Sequence, residues 1–165
     1  MSLARNIDFL RHLPKVSRLS YINGLRQPSW GIKAPVPTRL TETGDFGPNP
    51  GNLRMFSFAP DDLPVRAGLV VVLHGCTQTA ADYDLGAGWS RLADRYGFAV
   101  LMPEQKPSNN SNTCFSWFNP DDIARGHGEA VSIREMIDRM VVDHDIDRDR
   151  IFVTGLSAGG AMTSV

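Results

Sequence analysis

The sequence predicts a three-layer α/β fold with a mostly parallel sheet, and three observations support that prediction. Apolar runs at Gly68–Leu73, 98–102 and 151–154 alternate with segments of helical periodicity. Unbroken apolar runs of this length are typical of parallel strands that are buried on both faces. The third run leads directly into a glycine-rich turn, which indicates a tight strand-to-helix junction.

Length and composition fit a single globular domain. The chain has 165 residues, of which 42% are hydrophobic and 21% charged, with a net charge of -1. These proportions are ordinary for a soluble domain. A sheet of this kind usually needs roughly 200–300 residues to close its core and complete a site, so the chain is short for the fold that it begins.

The first 50 residues differ from the rest in charge and in turn-forming residues. Residues 1–40 carry seven basic side chains and one acidic side chain, whereas the remainder carries ten and seventeen. Prolines and glycines recur between residues 26 and 51, which predicts an extended linker. We therefore expect a variable basic leader and linker over residues 1–50 and a compact domain over 51–165. The spaced charges favour an arm that is solvated or docked on its own body over one docked on an anionic surface.

Several functional classes lack support in the sequence. No apolar run approaches the roughly 20 residues of a membrane span. The first 25 residues have no continuous apolar core, so we expect no Sec-type signal peptide. No zinc-finger, helix-turn-helix or aromatic-basic signature indicates nucleic-acid binding. His, Cys and acidic residues do not occur at metal-ligand spacing, and we expect neither a metal nor an organic cofactor.

The other elements of the domain follow from its breakers and periodic segments. An outer strand is expected at residues 53–58. Helices are expected at 80–96 and 128–143, separated by a strand that Pro103 ends and by a long loop. The resulting order of strand, helix, strand, helix and strand predicts right-handed crossovers between parallel strands.

The turn after the third apolar run has the sequence G-x-S-x-G, with Ser157 at its centre. A buried strand before it and a small-residue segment after it are the context of a nucleophile elbow rather than of an ordinary serine turn. Gly155 and Gly159 lack the Cβ atoms that would clash between the incoming strand and the outgoing helix. We therefore predict Ser157 as a catalytic nucleophile and the backbone N–H of Ala158 as an oxyanion donor.

His74, Gly75 and Cys76 follow the first apolar run. In folds with a nucleophile elbow, the loop after this strand supplies a second oxyanion N–H. Gly75 allows a sharp turn, and we predict the Cys76 N–H as that donor. An imidazole at a strand end before a glycine favours a bracing role for His74 over a catalytic one.

These segments resemble the family of poly(3-hydroxybutyrate) depolymerase esterases, which also contains feruloyl and acetylxylan esterases. The resemblance covers residues 51–165 and rests on residues 69–78, 97–103, 114–118 and 151–162. It implies an α/β-hydrolase fold and a serine esterase that cleaves a polyester or an ester-linked polysaccharide through an acyl-enzyme. It also implies an extracellular protein, whereas the lack of a signal peptide favours the cytoplasm.

The resemblance further implies that Trp117 and its neighbours line the substrate groove. Phe115, Trp117 and Phe118 lie in an asparagine-rich loop that leaves the carboxyl end of a strand. Ligands bind at that edge of open parallel sheets. The alternative is that these aromatic side chains pack the loop onto the core. Cys76 and Cys114 fall near the same edge, as either a disulfide or two buried thiols.

The triad of this fold follows the order serine, acid, histidine along the chain. Val165 stands eight residues after Ser157, and all four histidines precede the serine. His127 and His144 are expected to be a turn residue and a helix-end residue. We therefore expect a fold truncated after the elbow, whose acid and histidine lie in a missing C-terminal half.

An unactivated serine is a poor nucleophile, so the 165-residue chain is expected to be inactive alone. Two alternatives to a depolymerase-type or polysaccharide esterase remain. One is another α/β-hydrolase, such as a peptidase or lactonase. The other is a non-catalytic protein that binds polyester granules or polysaccharide through its aromatic loop and basic arm.

Overall fold

A five-stranded mixed sheet organises residues 38–165, the part of the chain that the structure, a computed structural model, describes. Most of the predicted basic leader lies outside these residues. The strands are β1 (Thr41–Thr43), β2 (Arg54–Phe58), β3 (Gly68–Leu73), β4 (Phe98–Glu104) and β5 (Ile151–Gly155). The order across the sheet is β1-β2-β4-β3-β5.

The sheet is parallel at the end formed by β4, β3 and β5, and antiparallel at the end formed by β1 and β2. β3 pairs in parallel with both β4 and β5, whereas β1 with β2 and β2 with β4 are antiparallel. The prediction of a mostly parallel sheet therefore holds only for β3, β4 and β5. The connections 44–53 and 59–67 contain no helix. They are shorter than the crossover of about a dozen residues that joins parallel strands.

Within residues 38–165, five helices accompany the sheet, together with a 3-10 turn at Arg148–Arg150. The predicted helix 80–96 is divided at Gly88, whose φ of 76° lies in the left-handed region and ends the first half. Pro103 does not end the second buried strand, because it pairs with Met55 inside β4. The helices are α1 (Ala80–Ala87), α2 (Trp89–Tyr96), α3 (Pro120–Ile123), α4 (Gly128–His144) and α5 (Ala158–Met162).

Two apolar clusters cover the two faces of the sheet and make the fold three-layered. Alternate residues of β3 divide between them: Leu69 and Val71 join the cluster that contains Met136 and Met140 of α4. Val72 joins the cluster that contains Ala93 of α2. This arrangement explains why β3 is apolar throughout, since both of its faces are buried.

The last part of the predicted linker belongs to the sheet and its core. Leu40 and Phe46 are buried, and β1 pairs with β2. The linker predicted for residues 26–51 is therefore wrong for this last part. Short runs separated by glycine and proline do not disclose a three-residue strand, which exists only through its pairing.

β5 forms one edge of the sheet within residues 38–165. Phe152 is 58% exposed and Val153 45% exposed, on opposite faces of the strand. The prediction of a strand buried on both faces is therefore wrong for these residues. An apolar strand with unpaired backbone groups is a surface on which further strands can add.

The start of α5 lies directly on the carboxyl end of β3. The Leu156 N–H donates to the Leu73 carbonyl over 3.0 Å. A Cβ at Gly159 would overlap that same carbonyl and would lie 2.5 Å from the carbonyl oxygen of His74. Glycine is therefore required at 159, because the obstacle is backbone that cannot move aside.

Replacing Gly159 with alanine is expected to destabilise the protein by about 3 kcal/mol, because the added methyl forces α5 away from β3. Gly86→Ala is the matched control, since an added Cβ there meets nothing within 4 Å in helix α1. That control should gain about 0.5–1 kcal/mol. Urea denaturation followed by circular dichroism measures both, and equal stabilities for the two variants would contradict the close approach.

Candidate active site

Ser157 stands between the end of β5 and the start of α5, with φ 54° and ψ -119°. Its side chain is exposed. A non-glycine residue with positive φ costs roughly 1–3 kcal/mol and persists only where its surroundings impose it. Here Gly155 permits the turn, since a Cβ on it would lie 2.8 Å from the Gly160 amide nitrogen. The local geometry is that of a strained turn that presents a hydroxyl at the sheet edge.

Two backbone N–H groups beside Ser157 donate no hydrogen bond to any described residue. They belong to Ala158, the first residue of α5, and to Cys76 in the loop after β3. That loop reaches the serine, because a Cβ added to Gly75 would lie 3.5 Å from Ser157 Cβ. Two such amides beside an exposed serine hydroxyl are suited to donate hydrogen bonds to a developing oxyanion.

The loop after β3 is closed by its own side chains. The Gly75 N–H donates to Gln78 Oε1 over 2.8 Å, and the Gln78 N–H donates to the Gly75 carbonyl over 3.3 Å. Thr77, the residue after Cys76, has a φ of 62° and donates its N–H to the Asn112 carbonyl. These bonds use the amides on both sides of Cys76, and its own N–H has no acceptor among residues 38–165.

His74 is a buried, neutral imidazole. Its Nδ1 lies 2.8 Å from the Gly75 carbonyl, to which it donates, and its Nε2 accepts the Gln105 N–H over 3.1 Å. Burial lowers the pKa of His74, while the Gly75 carbonyl and Glu104 act in the opposite direction. A second proton on Nε2 would face the Gln105 N–H. The two hydrogen bonds join the loop after β3 to the end of β4; the bracing role of His74 stays a prediction.

A disulfide joins Cys76 to Cys114, so the structure selects one of the two alternatives left by the sequence. The bond ties the loop after β3 to the long loop after β4. Asn110 secures the same point, because its side chain accepts the Cys114 N–H and donates to the Cys114 carbonyl.

The three predicted groove aromatics separate into one core residue and two surface residues. Phe115 is fully buried, with its ring centroid 4.9 Å from that of His74. The assignment of Phe115 to a substrate groove is therefore corrected, since its side chain packs the loop onto the core. Trp117 and Phe118 are exposed and meet edge to face at 5.7 Å.

An open cavity of about 570 Å³ lies along this loop. Phe118, Ser116 and the disulfide-bonded Cys114 line it, together with several asparagines. Most of the asparagine side chains already hold the loop itself; Asn119, for example, donates to Asp122. The cavity is therefore lined by an aromatic side chain and by polar side chains that are mostly hydrogen-bonded within the protein.

Gln105 and Glu129 were not identified from the sequence, yet both are buried beside the site. They are bonded to each other and to the loops that carry Cys76 and Trp117. Burial raises the pKa of Glu129, and its bonds to Ser116 and Gln105 oppose that shift. A glutamine after a strand and a glutamate in a first helical turn are common surface residues, so no sequence signal marks them.

No histidine within residues 38–165 bonds to Ser157. His127 is an exposed residue that precedes α4, and His144 is the last residue of that helix. The described residues contain no group of three or more His, Cys, Asp or Glu side chains placed to hold a metal. None of the helices between residues 38 and 165 has the length and apolar character needed to cross a bilayer.

Comparison with known proteins adds to this geometry. The profile of the family described as esterase PHB depolymerase matches residues 56–165. The chain belongs to that family. The family range agrees with the resemblance drawn from residues 51–165 and includes both Cys76 and Ser157.

Curated members of the family share substantial identity with this chain. Poly(3-hydroxyalkanoate) depolymerase C of Paucimonas lemoignei is 56% identical over 126 residues, which are 76% of this chain and 30% of that protein. Acetylxylan esterase A of Emericella nidulans is 35% identical over 132 residues, which are 79% of this chain and 42% of that protein. The chain therefore spans less than half the length of these relatives.

A solved family structure confirms the fold prediction. The acetyl xylan esterase from Aspergillus awamori superposes with a TM-score of 0.69 at 32% identity, covering 74% of this chain and 44% of that one. The structural neighbours are α/β-hydrolase esterases, and the mixed sheet with its flanking helices has that fold.

Acidification should weaken the fold through His74. Its folded-state pKa lies below the ordinary value of 6.5, so the folded protein binds fewer protons than the unfolded chain between those two values. The stability that the neutral ring provides is complete above pH 6.5 and declines as the pH falls below it. His74→Gln, which keeps an acceptor for the Gln105 N–H but does not titrate there, should show a smaller loss of unfolding free energy between pH 7 and 5.

Urea denaturation at each pH gives the slope of the unfolding free energy against pH for wild type and for His74→Gln. His127→Gln is the matched control, because His127 is exposed at the start of α4. It should keep the wild-type pH dependence. Identical slopes for wild type and His74→Gln would show that the buried ring does not resist protonation.

Proposed function

We propose that the protein is a serine esterase that uses Ser157 to form an acyl-enzyme. The observation that supports this most is the exposed serine at positive φ, flanked by the Cys76 and Ala158 N–H groups, which bond to no residue in the described part of the chain. Family membership supports the same class of chemistry, because its curated members are named depolymerases and esterases.

In the proposed reaction Ser157 Oγ attacks the ester carbonyl carbon and gives its proton to a general base. The carbonyl oxygen becomes an oxyanion, which accepts hydrogen bonds from the Cys76 and Ala158 amides. The C–O bond to the alcohol then breaks, and the alcohol leaves with the proton. Water attacks the acyl-enzyme in a second, equivalent step that releases the carboxylic acid and restores the serine.

The general base and its acid partner are proposed to come from polypeptide outside residues 1–165. Two observations support this: no histidine within residues 38–165 bonds to Ser157, and the matched relatives are more than twice as long as the region they share with this chain. No metal or organic cofactor has a role in the proposed chemistry.

The proposed substrate is a polyester of 3-hydroxyalkanoates. The support is the 56% identity to a poly(3-hydroxyalkanoate) depolymerase, together with an exposed aromatic pair suited to an apolar, methyl-substituted chain. Acetylated or feruloylated polysaccharide is the second candidate, favoured by the structural likeness to an acetyl xylan esterase. An extracellular location is also proposed, because disulfides persist in oxidising compartments.

The chemistry is tested with p-nitrophenyl butyrate. The complete gene product should turn over this ester, and Ser157→Ala should lower kcat at least roughly a thousandfold, because covalent catalysis is lost. The 165-residue chain alone should show no Ser157-dependent turnover, since the serine has no base. Turnover by that chain at the rate of the complete protein would overturn the assignment of the base.

The substrate is tested with polyester particles. Trp117→Ala should weaken binding to poly(3-hydroxybutyrate) particles roughly tenfold, because one exposed aromatic face contributes about 1.4 kcal/mol. Turnover of p-nitrophenyl butyrate should stay within about twofold of wild type. Tyr96→Ala, which removes an exposed aromatic residue of α2, is the matched control and should bind particles normally. A binding loss on acetylated xylan but not on polyester would favour the polysaccharide candidate.

A further inference from the structure

Glu129 is a buried carboxyl group that the proposed chemistry does not use. It is the second residue of α4 and only 2% exposed. Among the described residues it forms no ion pair. A buried carboxyl group without a cation is costly, so its hydrogen bonds must compensate for the loss of water. Those bonds run to the two loops that border the candidate active site.

The backbone around Glu129 is held in place independently of its side chain. A Cβ on Gly51 would lie 2.6 Å from Glu129 Cα, so the start of α4 rests on the chain before β2. The Gly51 N–H also donates to Ser132 Oγ over 2.8 Å. The backbone that carries the Glu129 carboxyl group is therefore held in place by its packing against Gly51.

One carboxyl oxygen of Glu129 orients Gln105, and Gln105 bonds to both of the loops that the disulfide joins. Glu129 Oε1 accepts a hydrogen bond from Gln105 Nε2 over 2.6 Å. The same amide nitrogen donates to the Cys114 carbonyl over 3.2 Å. The Gln105 backbone N–H donates to His74 Nε2. Gln105 thus contacts the residue bonded to Cys76 by the disulfide and the histidine two positions before Cys76.

The other carboxyl oxygen holds the aromatic loop. Glu129 Oε2 accepts the Ser116 N–H over 2.9 Å. Ser116 lies between the buried Phe115 and the exposed Trp117. One side chain thereby fixes the backbone next to the proposed substrate-contacting tryptophan and, through Gln105, the loop that carries the proposed oxyanion donor.

We propose that Glu129 is a positioning residue that holds the Cys76 amide in place for the oxyanion, acting through Gln105, and holds the Trp117 segment through Ser116. The inference rests on the proposed function of Ser157 and Cys76. A carboxylate suits this role because both of its oxygens accept, and each of the two neighbours presents a donor.

The Glu129→Gln variant tests the role with almost no change in volume. Glutamine has one acceptor oxygen, so its NH₂ group must face either the Gln105 amide or the Ser116 N–H, both of which are donors. Ser132→Ala is the matched control. It also removes a buried hydrogen bond from α4, one turn away, but it touches Gly51 rather than either loop.

The first measurement is amide hydrogen exchange on the complete gene product without substrate, which requires no catalytic activity. Reporter amides are Gly75 and Thr77, since both are hydrogen-bonded in the loop after β3 and neither touches Glu129. Glu129→Gln should accelerate their exchange at least about tenfold, while Ser132→Ala should leave their exchange within about twofold of wild type. Equal acceleration in both variants would overturn the proposal, because it would reflect general destabilisation.

The second measurement is turnover of p-nitrophenyl butyrate by the complete gene product. Complete loss of an oxyanion donor costs about 100- to 1000-fold in rate. We expect Glu129→Gln, which displaces the donor, to lower kcat roughly 10- to 100-fold with KM within about threefold of wild type. The control should keep kcat within about twofold. A wild-type kcat in Glu129→Gln, at whatever thermal stability, would overturn the proposal.

The two measurements separate this inference from the proposed function. If the complete protein shows no Ser157-dependent turnover, the proposed esterase function fails. The exchange measurement then still decides whether Glu129 holds the loop after β3. Faster loop exchange with normal kcat would show that the carboxyl group supports the fold and does not position the donor, which also overturns the inference.

Discussion

The contact on which the rest of the site depends is the approach of the chain after Ser157 to the end of β3. Gly159 lies against the carbonyl groups of Leu73 and His74, and the Leu156 N–H donates to Leu73. Because this contact is made by backbone atoms, it fixes the turn at Ser157 relative to the loop after β3. The positive φ of Ser157 is sustained by this packing, since an isolated serine would relax from it.

Around that contact the protein buries polar groups and satisfies them with one another. His74 donates to one backbone carbonyl and accepts one N–H, which keeps the ring neutral. Glu129 accepts from Gln105 and from Ser116. Buried polar groups of this kind specify a single arrangement when every member has a partner. The disulfide between Cys76 and Cys114 adds a covalent tie between the same two loops.

Much of the architecture could be predicted from local sequence, and the failures have identifiable causes. β3 was predicted with its observed bounds, Gly68–Leu73, because an apolar run buried on both faces needs no information from its neighbours. Gly88 was not recognised as a helix break, since a single glycine is tolerated in many helices. Pro103 was expected to end the second apolar strand, but it lies inside β4. Phe152 was expected to be buried, but it is exposed, because its burial depends on which strands flank β5.

The sequence by itself determined the turn at Ser157, the glycines around it and the loop after β3 as candidates for the site, because short motifs carry their own backbone requirements. The outcomes for Phe115 and Trp117 were decided only by the tertiary structure, since one ring is buried against His74 and the other is exposed. The same holds for the disulfide and for Glu129. Their partners lie far away along the chain, and no local pattern records which distant groups will meet across a folded sheet edge.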